Sequence, residues 1–339
     1  MRLTLLALAL ACGTASAQEW RTLDVSRQLH DTSALKADIT YGAGTFSLGP
    51  ASGADLYEMH MRYSSGRSTP VATYDAGAHT LHLGIKSQNF SIPGGDADNN
   101  ELHVGLARGV PLDLTAEVAA ADVKMDLGGL AVRKLMLKTG ATDATLAFSS
   151  PNTTRMESMN LNVGAAGFKA TGLANANANT IRLRAGIGDW DLYFDGQWTH
   201  DITLDAKVGL GSLNIHVPDY VRVEQNANAV LGDVSGDGNG QHATVTIDTS
   251  DNDDAPDSSD DNADDNAATA TAKATAKATA AAVKTAVKGS VQVTKKNGVT
   301  TVNVNSPTPT PATPKFTLHI VGSATLGEIT FDHKLAGGQ

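Results

Sequence analysis

Leu183-Arg-Ala-Gly-Ile-Gly-Asp-Trp-Asp-Leu-Tyr-Phe194 decides the fold, because the chain repeats it three more times in near copy. The other copies are Leu137-Lys-Thr-Gly-Ala-Thr-Asp-Ala-Thr-Leu-Ala-Phe148, Leu161-Asn-Val-Gly-Ala-Ala-Gly-Phe-Lys-Ala170 and Ala206-Lys-Val-Gly-Leu-Gly-Ser-Leu-Asn-Ile-His-Val217. Gly140, Gly164, Gly186 and Gly209 recur at a near-constant spacing of about 23 residues. A fixed period of this size marks a stacked-repeat architecture, in which each unit buries its apolar face against its neighbours.

Within each copy the hydrophobic period is two. Trp190, Leu192 and Phe194 alternate with Asp189, Asp191 and Tyr193, and Leu213, Ile215 and Val217 alternate with Asn214 and His216. That is the pattern of a half-buried strand, apolar side chains in and polar side chains out. Phe148, Phe168, Trp190, Leu192, Phe194, Leu213, Ile215 and Val217 are therefore the expected core. Gly42, Gly44, Gly140, Gly164, Gly186, Gly188, Gly209 and Gly211 are the expected turn positions, and the pairs Gly186-Ile-Gly188 and Gly209-Leu-Gly211 sit where a turn or bulge needs positive φ. One repeat reads as strand, glycine turn, strand and a loop to the next copy.

The pattern extends beyond the four clear copies. Glu117 to Leu127 is a weaker one with alanines for glycines, and Ile39 to Leu48 is another. Leu56 to Tyr63 alternates, His79 to Ile85 reads as its hairpin partner, and Gly94 to Asn100 is a polar loop. The fold class expected is all-β: a solenoid-like stack of short strands, about 22–24 residues per repeat, with a long low-complexity insertion.

The ends and the charge bound the rest. Met1-Arg2, the apolar run Leu3 to Ala11 and Ala15-Ser16-Ala17 form a secretory signal over residues 1–17. A rival reading is a lipoprotein signal acylated at Cys12, but Ala9-Leu10-Ala11 sets the usual leucine one place off. Either way the chain is read as exported, to the periplasm or the cell surface. Cys12 is the one cysteine, so a chain cut after Ala17 relies on its core alone. No later segment is apolar for long enough to form a transmembrane helix.

The formal net charge of -10 is concentrated, since Asp248 to Asp265 holds nine aspartates and no base. The rest is near neutral and offers no basic face for nucleic acid. The solenoid-like domain is expected over 18–248. An insertion over 249–290 is acidic, then rich in Ala, Thr and Lys, and reads as disordered or marginally helical. A β-hairpin at 291–304 turns at Asn297-Gly298, and 305–315 is a Pro/Thr linker. Residues 316–339 are expected to return to the solenoid as a strand pair capping the stack.

With these residues in view, the chain resembles the toast-rack family of bacterial exported proteins, related to LiaF-like cell-envelope domains and to adhesin-type domains of unknown function. The matching stretches are Val110-Pro-Leu-Asp-Leu114, Asp126-Leu-Gly-Gly-Leu-Ala-Val-Arg-Lys-Leu135, the serial Gly-x-Gly turns and Leu210-Gly-Ser-Leu-Asn-Ile-His-Val-Pro218. Ala119-Ala120-Ala121 and the 249–314 insertion depart from the pattern. The resemblance implies a one-sided stack of short strands and cell-envelope association, with sensing of envelope stress in some members. It carries no catalytic motif.

No residue set of the sequence points to chemistry. His60, His82 and His103 alternate outward and lack the spacing of a zinc site. Asp96, Asp98 and Asn100 begin like a calcium loop, but Glu101 stands where glycine is needed. The expectation is an exported non-enzyme with no catalytic residue, cofactor or metal, binding an envelope protein or glycan and open to self-association. Two alternatives stay open: a carbohydrate-active lyase or hydrolase on a parallel β-helix, and a self-assembling surface β-protein.

Overall fold

A computed structural model describes residues 19–65, 68–87, 100–141, 143–165, 167–229, 233–236, 241–247, 290–296, 299–306 and 315–332. The expected signal with Cys12, residues 94–99 of the polar loop, residues 249–289 of the insertion, the Asn297-Gly298 turn and most of the Pro/Thr linker lie outside them. The described residues are all-β and contain no helix.

The strands are β1 (Trp20–Gln28), β2 (Leu35–Pro50), β3 (Asp55–Ser64), β4 (Ser68–Asp75), β5 (Thr80–Ser87), β6 (Glu101–Leu106), β7 (Pro111–Asp126), β8 (Ala131–Ala141), β9 (Ala144–Ala147) and β10 (Ser158–Ala165). They continue as β11 (Phe168–Thr171), β12 (Thr180–Tyr193), β13 (Ile202–His216), β14 (Val221–Ala229), β15 (Asp233–Gly236), β16 (Gln241–Ile247), β17 (Ser290–Lys296), β18 (Val299–Ser306) and β19 (Phe316–Asp332).

Each rung of the stack is one long strand, such as β12, or two in line, such as β10 with β11. Successive rungs from β2 through β7 to β13 pair in parallel. The period of the sequence thus becomes the register of the sheet. Ile39, Ala116, Leu137, Leu161, Leu183 and Ala206 form one inward ladder across the first halves of the rungs. Phe46, Val123, Ala144, Phe168, Trp190 and Leu213 form another across the second halves. All twelve are buried. Small residues stand beside large ones at places in a ladder, as Ala144 does beside Phe168 and Ala116 beside Leu137, which lets neighbouring layers interlock. Phe148, Phe168, Trp190, Leu192, Phe194, Leu213, Ile215 and Val217 are each at most 2% exposed.

The glycines act in two different ways. Gly44, Gly188 and Gly211 have φ of +114°, +150° and +135°, and bend the strand. Gly140, Gly164, Gly186 and Gly209 do not have positive φ, which at Gly186 and Gly209 differs from the sequence reading. They form a column of close approach: a Cβ on Gly186 would lie 2.4 Å from the carbonyl O of Gly164, and one on Gly209 2.4 Å from that of Gly186. Ala119 tops this column, its carbonyl O lying 2.2 Å from where a Cβ of Gly140 would stand. Gly42 has neither constraint. Gly188 and Gly211 therefore bend a continuous strand in β12 and β13, where the sequence reading had a turn between two strands.

The return loops are stitched by asparagine. Buried Asn152 donates from Nδ2 to the carbonyls of Val132 and Ala176, at 2.8 and 3.1 Å, and accepts at 2.8 Å from the Val132 N–H. Asn175 repeats the device one rung on, donating to the Phe148 carbonyl at 2.9 Å and accepting from Gln197 N–H at 2.8 Å.

Both ends of the stack differ from the sequence reading. At the N-terminal end β3 pairs antiparallel with β1 and β6, not with residues 79–85. The antiparallel partner of β5 is β4, and β5 also runs parallel to the first half of β2, while β6 runs parallel to its second half. At the C-terminal end β19 is one bent strand and does not cap the stack. It lies between β13 and the rung made of β14 and β15, parallel to both. Three further strands, in the order β16-β18-β17, form a separate antiparallel sheet, with β16 beside β14.

Candidate binding face

Alternation puts every second residue of each rung outside, and register lines these residues up. One line runs through Asp24, His60, His103 and Ser47 on β1, β3, β6 and β2. It continues through Lys124, Thr145, Lys169, Asp191, Asn214 and Thr330. Every member is polar, and none is buried.

The line is knit by hydrogen bonds at both ends. Asp24 Oδ1 meets His60 Nδ1, Ser47 Oγ meets His103 Nδ1 at 2.5 Å, and the rings of His60 and His103 stack with centroids 6.0 Å apart. At the far end Asn214 Nδ2 donates to Asp191 Oδ1 at 3.0 Å, and Thr330 Oγ1 donates to Asn214 Oδ1 at 2.5 Å. Between these ends stand Lys124 and Lys169. Among the described residues neither has a carboxylate within ion-pair distance; Lys169 Nζ lies 5.0 Å over the ring of Tyr193. The Tyr193 ring also stacks on that of His216, 4.2 Å between centroids.

The histidine end forms a shallow depression of about 420 Å³, walled by Asp24, Ser26, Ser47, Glu58, His60 and His103 among others. Glu58 is committed there: its carboxylate accepts from the N–H of Ser52 at 2.9 Å and from Ser52 Oγ at 3.1 Å. Among the described residues no three of His, Cys, Asp or Glu converge on a metal position. His82 lies elsewhere, on β5, beside Asp38. Asn100 of the calcium-like run turns its Oδ1 to the N–H of Ser64 at 3.3 Å.

The outer face of the first halves is charged differently. Arg133 forks onto Asp113 at 2.9–3.0 Å, Lys138 meets Glu117 at 2.6 Å and Lys134 meets Glu157 at 3.3 Å. Arg184 is bidentate on Asp205, at 3.1 and 2.9 Å, and these hydrogen bonds hold the Asp205 carboxyl below the usual carboxylate range. Most charges on this half neutralise one another across rungs, as opposite-sign neighbours in a sheet do. The sequence marked these residues as outward; that the two halves differ in charge pairing emerges only from the register.

A stack of parallel strands with its rungs in register is the toast-rack type of fold. Residues 15–166 match the family model of the N-terminal domain of toast_rack, DUF2154. Among solved structures, a "putative cell adhesion protein" from Clostridium sporogenes aligns over 93% of this chain and 99% of its own, at 12% identity and a TM-score of 0.39. A "putative adhesin" from Bacteroides fragilis aligns over 93% and 98%, at 10% identity and a TM-score of 0.37. Likenesses of that strength bear on neither the function nor the partner of this chain. No curated protein matches the sequence. No helix among the described residues is long and apolar enough to cross a membrane.

Proposed function

We propose that this is a non-enzymatic, exported cell-envelope protein that works as an adhesin-like binding module, holding an envelope protein or glycan on the outer face of the second half-rungs. A link to the envelope stress response, implied by the family resemblance, belongs to the same proposal. The observation that supports the reading best is the unbroken polar line from Asp24 to Thr330. Its two central lysines have no carboxylate within ion-pair distance among the described residues, while the other half of the surface pairs most of its charges internally. The leader-like residues 1–17 support export.

Crosslinking of the full-length protein to native envelopes, followed by pull-down, tests this. Lys124→Glu with Lys169→Glu should lower capture about tenfold, an ordinary loss for two central interface contacts. Lys138→Glu with Lys207→Glu, the same charge change on the other half-face, should leave capture within about twofold. Equal capture by all three proteins would remove the binding face from the account.

A further inference from the structure

We infer that β19 is an exchangeable strand, and that the slot between β13 and β14 accepts the β19 of a second copy of this chain. The inference goes beyond the binding face and does not depend on what that face holds.

The first support is an extra rung where the repeat spacing leaves a place for none. Ile202 on β13 and Val223 on β14 share Leu318 of β19 as register partner. Leu114 and Leu135, separated along the chain by the same interval as Ile202 and Val223, are direct register partners on adjacent rungs. The loops are equal too: residues 127–130 join β7 to its neighbour β8, and residues 217–220 join β13 to β14. By spacing, β14 is the next copy of the repeat after β13, yet it stands one rung further out with β19 in the gap. The stack is sequential from β7 to β13, and its one inserted rung comes from a distant part of the chain.

The second support is what β19 brings. Leu318, Ile320 and Ile329 lie beside Ile202, Leu204 and Leu213 and are at most 1% exposed. The β13 edge is thus covered along both halves of the rung by apolar side chains of β19.

The third support is the tether. Residues 307–315, which join β18 to β19, read Pro-Thr-Pro-Thr-Pro-Ala-Thr-Pro-Lys. Nine residues of chain span at most about 30 Å, roughly six strand spacings. A strand held at that reach makes the same contacts in its own slot or in a neighbour's. Exchange then costs little beyond association and is governed by concentration.

The test uses the full-length chain with Cys12→Ser, which removes its one cysteine. Thr203 and His319 are register partners across β13 and β19, at a separation a disulfide spans in a paired sheet. One preparation carries Thr203→Cys and another His319→Cys. The two are mixed, partly unfolded, refolded together over a range of concentrations and oxidised. The expected product is a linked pair holding one of each, several-fold above the 203–203 and 319–319 pairs, with a yield that rises with concentration. The chain carrying both substitutions, refolded dilute, is expected to close the same disulfide within itself. If the double variant closes but the mixed pair never exceeds chance pairing, exchange is overturned. If the double variant does not close, the placement of β19 beside β13 fails, and the inference with it.

Discussion

Ile320→Asp is expected to cost about 4 kcal/mol or more of stability, because it places an unpaired carboxylate in the interior. Ile320 is 1% exposed and lies between Leu204 and the Gln225 position. The next residue points the other way: Val321 is 49% exposed, between Asp205 and Asn226 in register. Val321→Lys should therefore change stability by no more than about 0.5 kcal/mol. Urea unfolding of the full-length protein measures both. Trp198 is a built-in reporter, since its ring stacks on that of Phe316 at the start of β19, 6.0 Å between centroids. Small and equal effects at both positions would mean that β19 does not contribute a rung. A large effect at 321 with a small one at 320 would mean that its register is off by one position, which turns every side chain of a strand to the opposite face.

The second large effect is at the bend. Gly211 has φ of +135°, and a Cβ there would stand 1.7 Å from the carbonyl O of Gly188. Gly211→Ala should cost about 3 kcal/mol, combining backbone strain with forced separation of two rungs. Gly42→Ala adds a methyl where nothing lies within 4 Å and φ is ordinary. It should be neutral or slightly stabilising, by up to about 1 kcal/mol, since alanine restricts the unfolded chain. The same unfolding measurement decides. A matched loss at both positions would return all eight glycines to a single role as turn residues.

That contrast shows what the sequence can and cannot tell. The period of the glycines and the alternation around Trp190 and Ile215 are local signals, and they carry the rungs, the inward ladders and the parallel stacking. Why Gly186 must be glycine is not local: the reason is the carbonyl of Gly164, a full repeat earlier in the chain. Likewise Asn152 reads as an ordinary loop residue until the carbonyls of Val132 and Ala176 are seen on either side of it. Antiparallel strands give no repeat from which to read a partner. His79 to Ile85 and Leu56 to Tyr63 alternate equally well, and their true partners differ. The binding face has the same character. Outwardness of His60, His103, Lys169 and Asp191 follows from alternation, but their alignment joins three N-terminal strands to the repeat and needs the register. Furthest from view is β19, because Ile202 and its partner Leu318 are separated by several repeat lengths of chain and β14 imitates the next repeat by its spacing.

Hydrogen exchange across the backbone of the full-length protein tests the central claim, that the C-terminal strand is an interior rung of the stack. Amides of residues 317–323 are paired on one side to β13 and on the other to β14, whereas β14 has β19 on only one side. The account predicts protection in 317–323 comparable to that of β12 and β13, and above that of residues 221–229. Faster exchange in 317–323 than in 221–229 would contradict it, placing β14 directly on β13 and the C-terminal strand outside the sheet.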